Sequence, residues 1–123
     1  MRSVVVTGSS TGIGWGTSKI LIKNGFRVFG SVRKQADADR LQKEFGANFV
    51  PLIFDVTDEA AVTAAAAKVR DMLAGETLAG LVNNAGVAVS GPLLYLPVDE
   101  FRQQMEINVL GVLRTTQAFG PLL

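Results

Sequence analysis

The sequence predicts an α/β fold in which a doubly wound parallel sheet is built in the order βαβαβαβα. Short apolar runs alternate with longer helical patterns along the whole chain, and the apolar runs are almost continuous. Alternating strands and helices favour parallel pairing through right-handed crossovers. Continuously apolar strands are typical of a sheet that carries helices on both faces. We therefore expect a sheet with the strand order 3-2-1-4.

Turn residues and helix caps set the predicted boundaries. Gly25 ends the first helix, in which Ile20 and Leu21 are expected to face inward. Thr57 and Asp99 are candidate N-caps of the third and fourth helices. The predicted strands span residues 4–6, 26–32, 49–54 and 78–83, and the predicted helices span 13–23, 38–45, about 58–73 and about 100–119.

Composition excludes several classes of function. With 48% hydrophobic and 19% charged residues, the chain is typical of a globular protein rather than a disordered one. Because it contains no cysteine and no histidine, disulfides, thiol nucleophiles, histidine general bases and the usual zinc sites are impossible within it. The net charge of +1 favours neither nucleic acid nor an anionic membrane. No apolar run approaches the ~18 residues that span a bilayer. The absence of cysteine fits a reducing compartment, and we expect a cytoplasmic protein.

A glycine-rich turn, TGSSTGIG, follows the first predicted strand at residues 7–14. Glycine lets the backbone approach a ligand closely, and the free N–H groups and dipole at a helix N-terminus attract a phosphate. A purely structural turn is the alternative interpretation. The position between a strand and a helix favours a dinucleotide phosphate site.

Polar or glycine-rich segments follow all four predicted strands, namely residues 8–14, Arg33, Asp55 and residues 84–86. In the strand order 3-2-1-4 they would lie along one rim, at the carboxyl ends of the strands, where open parallel sheets bind ligands. If all four segments were only structural turns, they would not be expected to fall together at the same rim. We therefore predict a Rossmann-type dinucleotide-binding site along this rim.

The residues after the second strand predict which dinucleotide binds. An NAD site usually carries an acidic residue about 20 residues beyond the glycines, where it binds the ribose 2′-hydroxyl. Here Arg33 and Lys34 occupy that region, and the first carboxylate is Asp37. Arginine binds phosphate through a planar fork of N–H donors, so we predict NADP(H) over NAD(H). A solvated pair of charges at a helix start is the alternative.

The pattern T-G-x-x-x-G-I-G and the sequence NNAG at residues 83–86 together resemble the short-chain dehydrogenase/reductase family. Asp55-Val56 after the third strand and Asn108 within INVLG of the last helix are further matches. The resemblance covers essentially the whole chain in order, and its flanking residues are most similar to the branch of retinol and hydroxysteroid dehydrogenases. It implies an oxidoreductase that interconverts an alcohol and a carbonyl by hydride transfer with NADP(H).

The resemblance also implies roles for individual residues. Asp55 would contact the adenine amino group, although a carboxylate that only serves the next helix is the alternative. Asn108 would be the catalytic relay asparagine, and we expect it to be buried; bonding to backbone alone is the alternative. Asn83 is expected to be structural. The implied cofactor-binding residues are Gly8, Ser10, Thr11, Gly12, Ile13, Gly14, Arg33, Lys34, Asp55, Val56, Asn84, Ala85 and Gly86.

Part of the family's catalytic apparatus has no match in the chain. In the family a Tyr-x-x-x-Lys pair transfers the proton and a serine orients the carbonyl. The single tyrosine here, Tyr95, is followed four residues later by Asp99, so packing or a substrate loop is expected for it. The resemblance thus implies that residues 1–123 are the N-terminal dinucleotide-binding part of one domain. A second polypeptide would carry the C-terminal half, and the isolated chain would be inactive. A non-catalytic dinucleotide-binding or interaction module is the alternative.

Apolar residues outside the predicted core suggest partners. The last helix carries an apolar stripe that needs a partner to cover it. Because members of the family form oligomers, the resemblance implies a homo-oligomer. The loop at 87–98 suggests a small hydrophobic alcohol or carbonyl substrate. The single tryptophan, Trp15, is expected to pack on the helix surface rather than stack on a cofactor. The stripe consists of Met105, Val109, Val112, Leu113 and Phe119.

Overall fold

The computed structural model describes all residues 1–123 as a four-stranded parallel sheet flanked by helices, in the predicted strand order β3-β2-β1-β4. The strands are β1 (Ser3–Val6), β2 (Arg27–Val32), β3 (Phe49–Ile53) and β4 (Gly80–Val82). The helices are α1 (Gly12–Lys23), α2 (Gln35–Phe45), α3 (Glu59–Leu73), α4 (Val98–Met105) and α5 (Gly111–Phe119). The predicted doubly wound α/β fold is therefore confirmed.

Side chains of the central strands point alternately to two separate cores, as the two-residue repeat of a strand requires. Val5 and Phe29 face a cluster that includes α3 residues and Phe119 of α5. Their neighbours Val4 and Val28 face a second cluster, against α2 and partly buried residues of α1. Because helices cover both faces of the sheet, polar and apolar residues do not alternate along the strands, and this explains their nearly continuous apolar sequence.

Several predicted boundaries were wrong by a few residues. Helix α2 begins at Gln35 rather than at residue 38, because the extended backbone of Lys34 already serves as its N-cap. Asp58, not Thr57, caps α3, since its carboxylate accepts a hydrogen bond from the N–H of Ala61 at 3.1 Å. Strand β4 is only three residues long because its pairing with β1 ends at Val82.

The last predicted helix is not continuous. Helix α4 starts at Val98 after Pro97, one residue before the predicted N-cap Asp99, and a π-helical segment (Glu106–Leu110) separates it from α5. A π-helical turn inserts one extra residue into a helix and is frequent at functional sites. Nothing in the apolar spacing of this region signals the insertion. No helix of the structure has both the length and the apolar character that crossing a membrane would require.

Three side-chain expectations also need correction. Ile20 is 59% exposed rather than buried, whereas Leu21 packs against the core as expected. Phe119 is fully buried against Phe54, so it does not belong to an unpartnered stripe. Tyr95 is 80% exposed in a 3₁₀ turn (Leu93–Tyr95) and does not pack within this chain.

Gly30 tests how tightly the second core is packed. A Cβ atom there would lie 2.4 Å from the Phe49 ring and 2.7 Å from the Ser9 hydroxyl oxygen. We expect Gly30→Ala to lower the free energy of unfolding by about 1–3 kcal/mol, because such overpacking must displace neighbours. Urea unfolding measures the change. Gly16→Ala in α1 is the matched control, since no atom lies within 4 Å of its added methyl group. It should leave stability unchanged or raise it by up to about 1 kcal/mol, and equal losses in both variants would contradict the packing argument.

Candidate functional site

A cleft of about 370 Å³ opens at the carboxyl ends of the parallel strands. This is the edge at which open α/β sheets bind ligands, and the volume lies within the range typical of small-molecule sites. The cleft collects residues from the ends of all four strands, as the strand order predicts. Of the predicted cofactor-binding residues, it is lined by Gly8, Ser10, Thr11, Ile13, Arg33, Lys34, Asp55, Val56, Asn84, Ala85 and Gly86.

The remaining two predicted residues, Gly12 and Gly14, shape the turn instead of lining the cleft. Gly12 has a φ of 60°, a left-handed conformation that glycine adopts without strain. A Cβ atom on Gly14 would lie 2.0 Å from the carbonyl oxygen of Gly8 and 2.5 Å from the Asn84 amide nitrogen. Only glycine at residue 14 therefore lets the first turn of α1 approach the ends of β1 and β4.

The N-terminus of α1 keeps its backbone donors free of local side chains. Its N-cap, Thr11, has an extended backbone and makes no side-chain capping bond, and the first turn holds no acidic residue. Ile13 in the same turn is 80% exposed at the cleft. The first turn of a helix carries unpaired N–H groups and the positive end of the helix dipole. This end of α1 is thus available to an anion.

Two hydroxyl groups, one of them on the cleft-lining Ser31, join the strand ends at the cleft. The Thr7 hydroxyl oxygen accepts hydrogen bonds from the backbone N–H groups of Asn84 at 3.0 Å and Ala85 at 2.9 Å. The Asn84 side-chain amide donates in return to the carbonyl oxygens of Thr7 and Gly8. The Ser31 hydroxyl accepts from the N–H of Gly8 at 2.9 Å. Neither Thr7 nor Ser31 is among the predicted site residues, although Thr7 opens the T-G-x-x-x-G-I-G pattern. Ser31 has no sequence signal beyond a hydroxyl at the end of an apolar strand, which needs a partner where it is buried.

Asp55 is held in its ionised form at the cleft. The Thr57 backbone N–H donates to its carboxylate at 3.0 Å and is the main cause of a pKa below the ordinary value of 3.8. Partial burial opposes this shift, while the Thr57 hydroxyl, at 2.8 Å, and the positive charge of Arg33 add to it. The carboxylate closes a turn before α3 and also lines the cleft, so the two interpretations of its role are compatible.

Arg33 and Lys34 supply positive charge at the cleft, and both side chains are exposed. Neither forms an ion pair with a carboxylate of this chain. Asp37, in the first turn of α2, lines the same cleft and is paired with Arg40. The sequence marks Asp37 only as the first carboxylate after the second strand, and Arg40 is not among the predicted site residues.

Asn108 lies on the π-helical segment and is exposed, so the expectation that it is buried was wrong. Its side-chain oxygen accepts from the N–H of Val87 at 2.9 Å, and its amide nitrogen donates to the carbonyl oxygen of Val87 at 2.7 Å. In this chain it therefore bonds only to backbone. A catalytic role for Asn108 stays a prediction.

Asn83 and Trp15 serve packing, as predicted. The Asn83 side chain bonds to the hydroxyl groups of Thr115 and Thr116, which ties the end of β4 to α5. The Trp15 ring packs beside Phe45 of α2 and its N–H donates to the Glu44 carboxylate at 3.1 Å. Trp15 does not line the cleft.

Known proteins are similar to this chain in both fold and sequence. The profile of the short chain dehydrogenase family matches residues 2–123. An NADPH-dependent 3-dehydrocapnine reductase of Ornithobacterium rhinotracheale is 43% identical over 117 residues, which is 95% of this chain and 41% of that protein. Retinol dehydrogenase 5 of Homo sapiens is 36% identical, over 98% of this chain and 38% of that protein.

A solved structure, the NADPH-bound carbonyl reductase from chicken fatty liver, superposes with a TM-score of 0.89 and 34% identity. The superposition covers 99% of this chain and 51% of that one. The chain thus spans about half or less of the length of the proteins it matches. Because the family profile covers nearly every residue described above, the chain belongs to the short-chain dehydrogenase family.

Proposed function

We propose that this chain is the NADP(H)-binding part of an oxidoreductase that interconverts an alcohol and a carbonyl by hydride transfer. The observation that carries the proposal is the cleft itself, which combines an uncapped helix N-terminus with two unpaired cations, Arg33 and Lys34. Two of the similar proteins, the 3-dehydrocapnine reductase and the chicken carbonyl reductase, are described with NADPH. This supports the same cofactor here.

The residues present fit the phosphates of a dinucleotide. Thr11 and Ile13, at the N-terminus of α1, line the cleft, and no side chain caps this helix end. A pyrophosphate bound there would receive N–H donors from the first turn of α1, as at other helix N-termini that bind phosphate. Arg33 and Lys34 would hold the 2′-phosphate through charge-assisted hydrogen bonds. An adenosine that lacks the 2′-phosphate would leave both cations without that partner.

Residues that follow β3 and β4 would hold the adenosine. The ionised Asp55 carboxylate is an acceptor for an amino group, which suits the adenine N6, and Val56 lies beside it on the cleft wall. Residues 84–86 also line the cleft, and the Thr7 hydroxyl holds the backbone N–H groups of Asn84 and Ala85. These side chains bind and orient the cofactor, and the nicotinamide of NADPH supplies the hydride.

Proton transfer would come from outside this chain. We place the serine and the Tyr-x-x-x-Lys pair of the family on the rest of the polypeptide or on a second one, and expect residues 1–123 alone to be inactive. Asn108 would act as the relay asparagine. For this role its side chain, which now bonds to the Val87 backbone, would also have to bind a water molecule. The cytoplasm remains our expected location.

Exposed apolar side chains support a hydrophobic substrate and further partners. Leu94 and Tyr95, in the loop that follows the cleft-lining Val87 along the chain, are 90% and 80% exposed. We propose that this loop forms one wall of a pocket for a small hydrophobic alcohol or carbonyl compound. We also propose that the C-terminal half and a second copy of the protein cover the outer face of α4, the π-helical segment and α5, where Met105, Val109, Val112 and Leu113 are exposed.

Two measurements test the proposal. Titration of the chain with NADPH, followed by the fluorescence of the reduced nicotinamide, should show saturable binding. The chain together with its C-terminal half should then oxidise NADPH in the presence of hydrophobic aldehydes or ketones. Binding without turnover in the complete protein would favour the non-catalytic module. No binding to either form would exclude both functions.

Replacing Arg33 by aspartate should reverse the cofactor preference. The wild-type chain should bind NADPH more tightly than NADH, because each charge-assisted bond to the 2′-phosphate contributes about 1.5–3 kcal/mol. Arg33→Asp removes such a bond and adds a carboxylate that can accept from a 2′-hydroxyl. Dissociation constants for both nucleotides give the result. Arg70→Asp, at an exposed position of α3 outside this cleft, is the matched control and should keep the preference. Equal wild-type affinities for the two nucleotides would contradict the assignment of NADP(H).

Replacing Asp55 by asparagine should make the free energy of unfolding less dependent on pH in the acidic range. The pKa of Asp55 is lower in the folded chain than in the unfolded one, so its ionisation stabilises the fold above the ordinary value of 3.8, and this stabilisation is lost as the pH falls through the lower, folded pKa. Asp55→Asn should therefore cost about 1 kcal/mol at neutral pH, and the difference from wild type should close in acid. Urea unfolding at several pH values measures it. Asp71→Asn, at a highly exposed site, is the matched control and should change stability at neutral pH by less than about 0.5 kcal/mol. A difference that stays constant with pH for Asp55→Asn would refute the linkage.

A further inference from the structure

The cleft contains a charge that opposes the proposed cofactor. Asp37 lines it together with Arg33 and Lys34, in the first turn of α2. A carboxylate in this part of a dinucleotide site favours a ribose 2′-hydroxyl and repels a 2′-phosphate. Unless Asp37 is neutralised, it cancels the charge of one of the two cations.

Arg40 is placed to neutralise it. One turn further along α2, its guanidinium nitrogen Nη2 lies 3.4 Å from the Asp37 carboxylate, in the i,i+3 arrangement that brings helical side chains together. The same nitrogen donates to the carbonyl oxygen of Ser10 at 2.8 Å. Ser10 belongs to the glycine-rich turn and lines the cleft, whereas Arg40 does not. Arg40 therefore contacts two oxygen atoms of cleft-lining residues, and it offsets the negative charge of the Asp37 carboxylate and the partial negative charge of the Ser10 carbonyl.

We propose that Arg40 is a specificity-determining residue, which makes this corner of the cleft select a nucleotide with a 2′-phosphate by neutralising Asp37 and binding the Ser10 carbonyl. The inference rests on the proposed function, since it concerns how the same site recognises NADP(H). An exposed ion pair contributes little to stability, so the Asp37–Arg40 pair is better explained by the field it creates in the cleft. A 2′-phosphate carries close to two negative charges, and it therefore senses one added or removed neighbouring charge strongly.

The test compares two probes that differ only by the phosphate in question. Calorimetric titration of the chain with 2′,5′-ADP and with 5′-AMP gives their affinity ratio. Arg40→Gln should weaken 2′,5′-ADP binding about tenfold and leave 5′-AMP binding nearly unchanged, because an unpaired Asp37 repels the 2′-phosphate. The double variant Asp37→Asn/Arg40→Gln should recover most of the lost affinity. Arg102→Gln is the matched control, since Arg102 forms the same i,i+3 pair with Asp99 on α4, away from the cleft.

Each outcome separates this inference from the proposed function. A wild-type chain that prefers 2′,5′-ADP, with an unchanged ratio in Arg40→Gln, would overturn the role of Arg40 and leave the NADP(H) assignment intact. If Arg40→Gln weakened the binding of both probes equally, Arg40 would only support the glycine-rich turn, and the inference would fail. If the double variant did not recover the affinity for 2′,5′-ADP, neutralisation of Asp37 would be excluded as the cause. A wild-type chain without preference would end the NADP(H) assignment itself. If Arg40→Gln does not fold, the single variant Asp37→Asn decides the question. It should raise the affinity for 2′,5′-ADP and leave that for 5′-AMP unchanged, because it removes a negative charge near the 2′-phosphate. A lowered affinity for 2′,5′-ADP would overturn the inference.

Discussion

The close backbone approach at Gly14 is the constraint on which the rest of the site depends. A single methyl group there would collide with the Gly8 carbonyl oxygen and with the Asn84 side chain. That approach brings the positive end of α1 to the sheet edge and leaves room for a phosphate. It also lets Asn84 donate to both Thr7 and Gly8, so that the ends of β1 and β4 form one rigid floor.

Neutral and charged groups have separate tasks around this floor. Buried hydroxyls, those of Thr7 and Ser31, satisfy the backbone N–H groups where the strands end. Charged side chains lie only at the rim, where Arg33 also helps to keep Asp55 ionised. Burial of a charge in the floor would be costly without a partner. The division therefore gives a rigid base made of neutral hydrogen bonds and a rim whose charges are available to a ligand.

Sequence patterns predicted the features that depend on local chemistry or on sheet topology. Continuous apolar runs predicted both covered faces, and the strand order then brought residues 8–14, Arg33, Asp55 and residues 84–86 to one cleft. Burial of Asn108 was wrongly predicted from its apolar neighbours. The π-helical segment rotates it towards the backbone of Val87, and no helical periodicity reports such an insertion.

By itself, the sequence determined the order of the elements, the glycine-rich turn, and the presence of Arg33 and Lys34 where an NAD site usually carries an acidic residue. Each of these features depends on residues that are neighbours along the chain. Only the tertiary structure decided which distant groups meet. The bond from Arg40 to Ser10 spans 30 residues and those from Asn84 and Ala85 to Thr7 span 77 and 78. Such contacts arise from the packing of α2 and β4 around β1, and a single sequence carries no local signal for them.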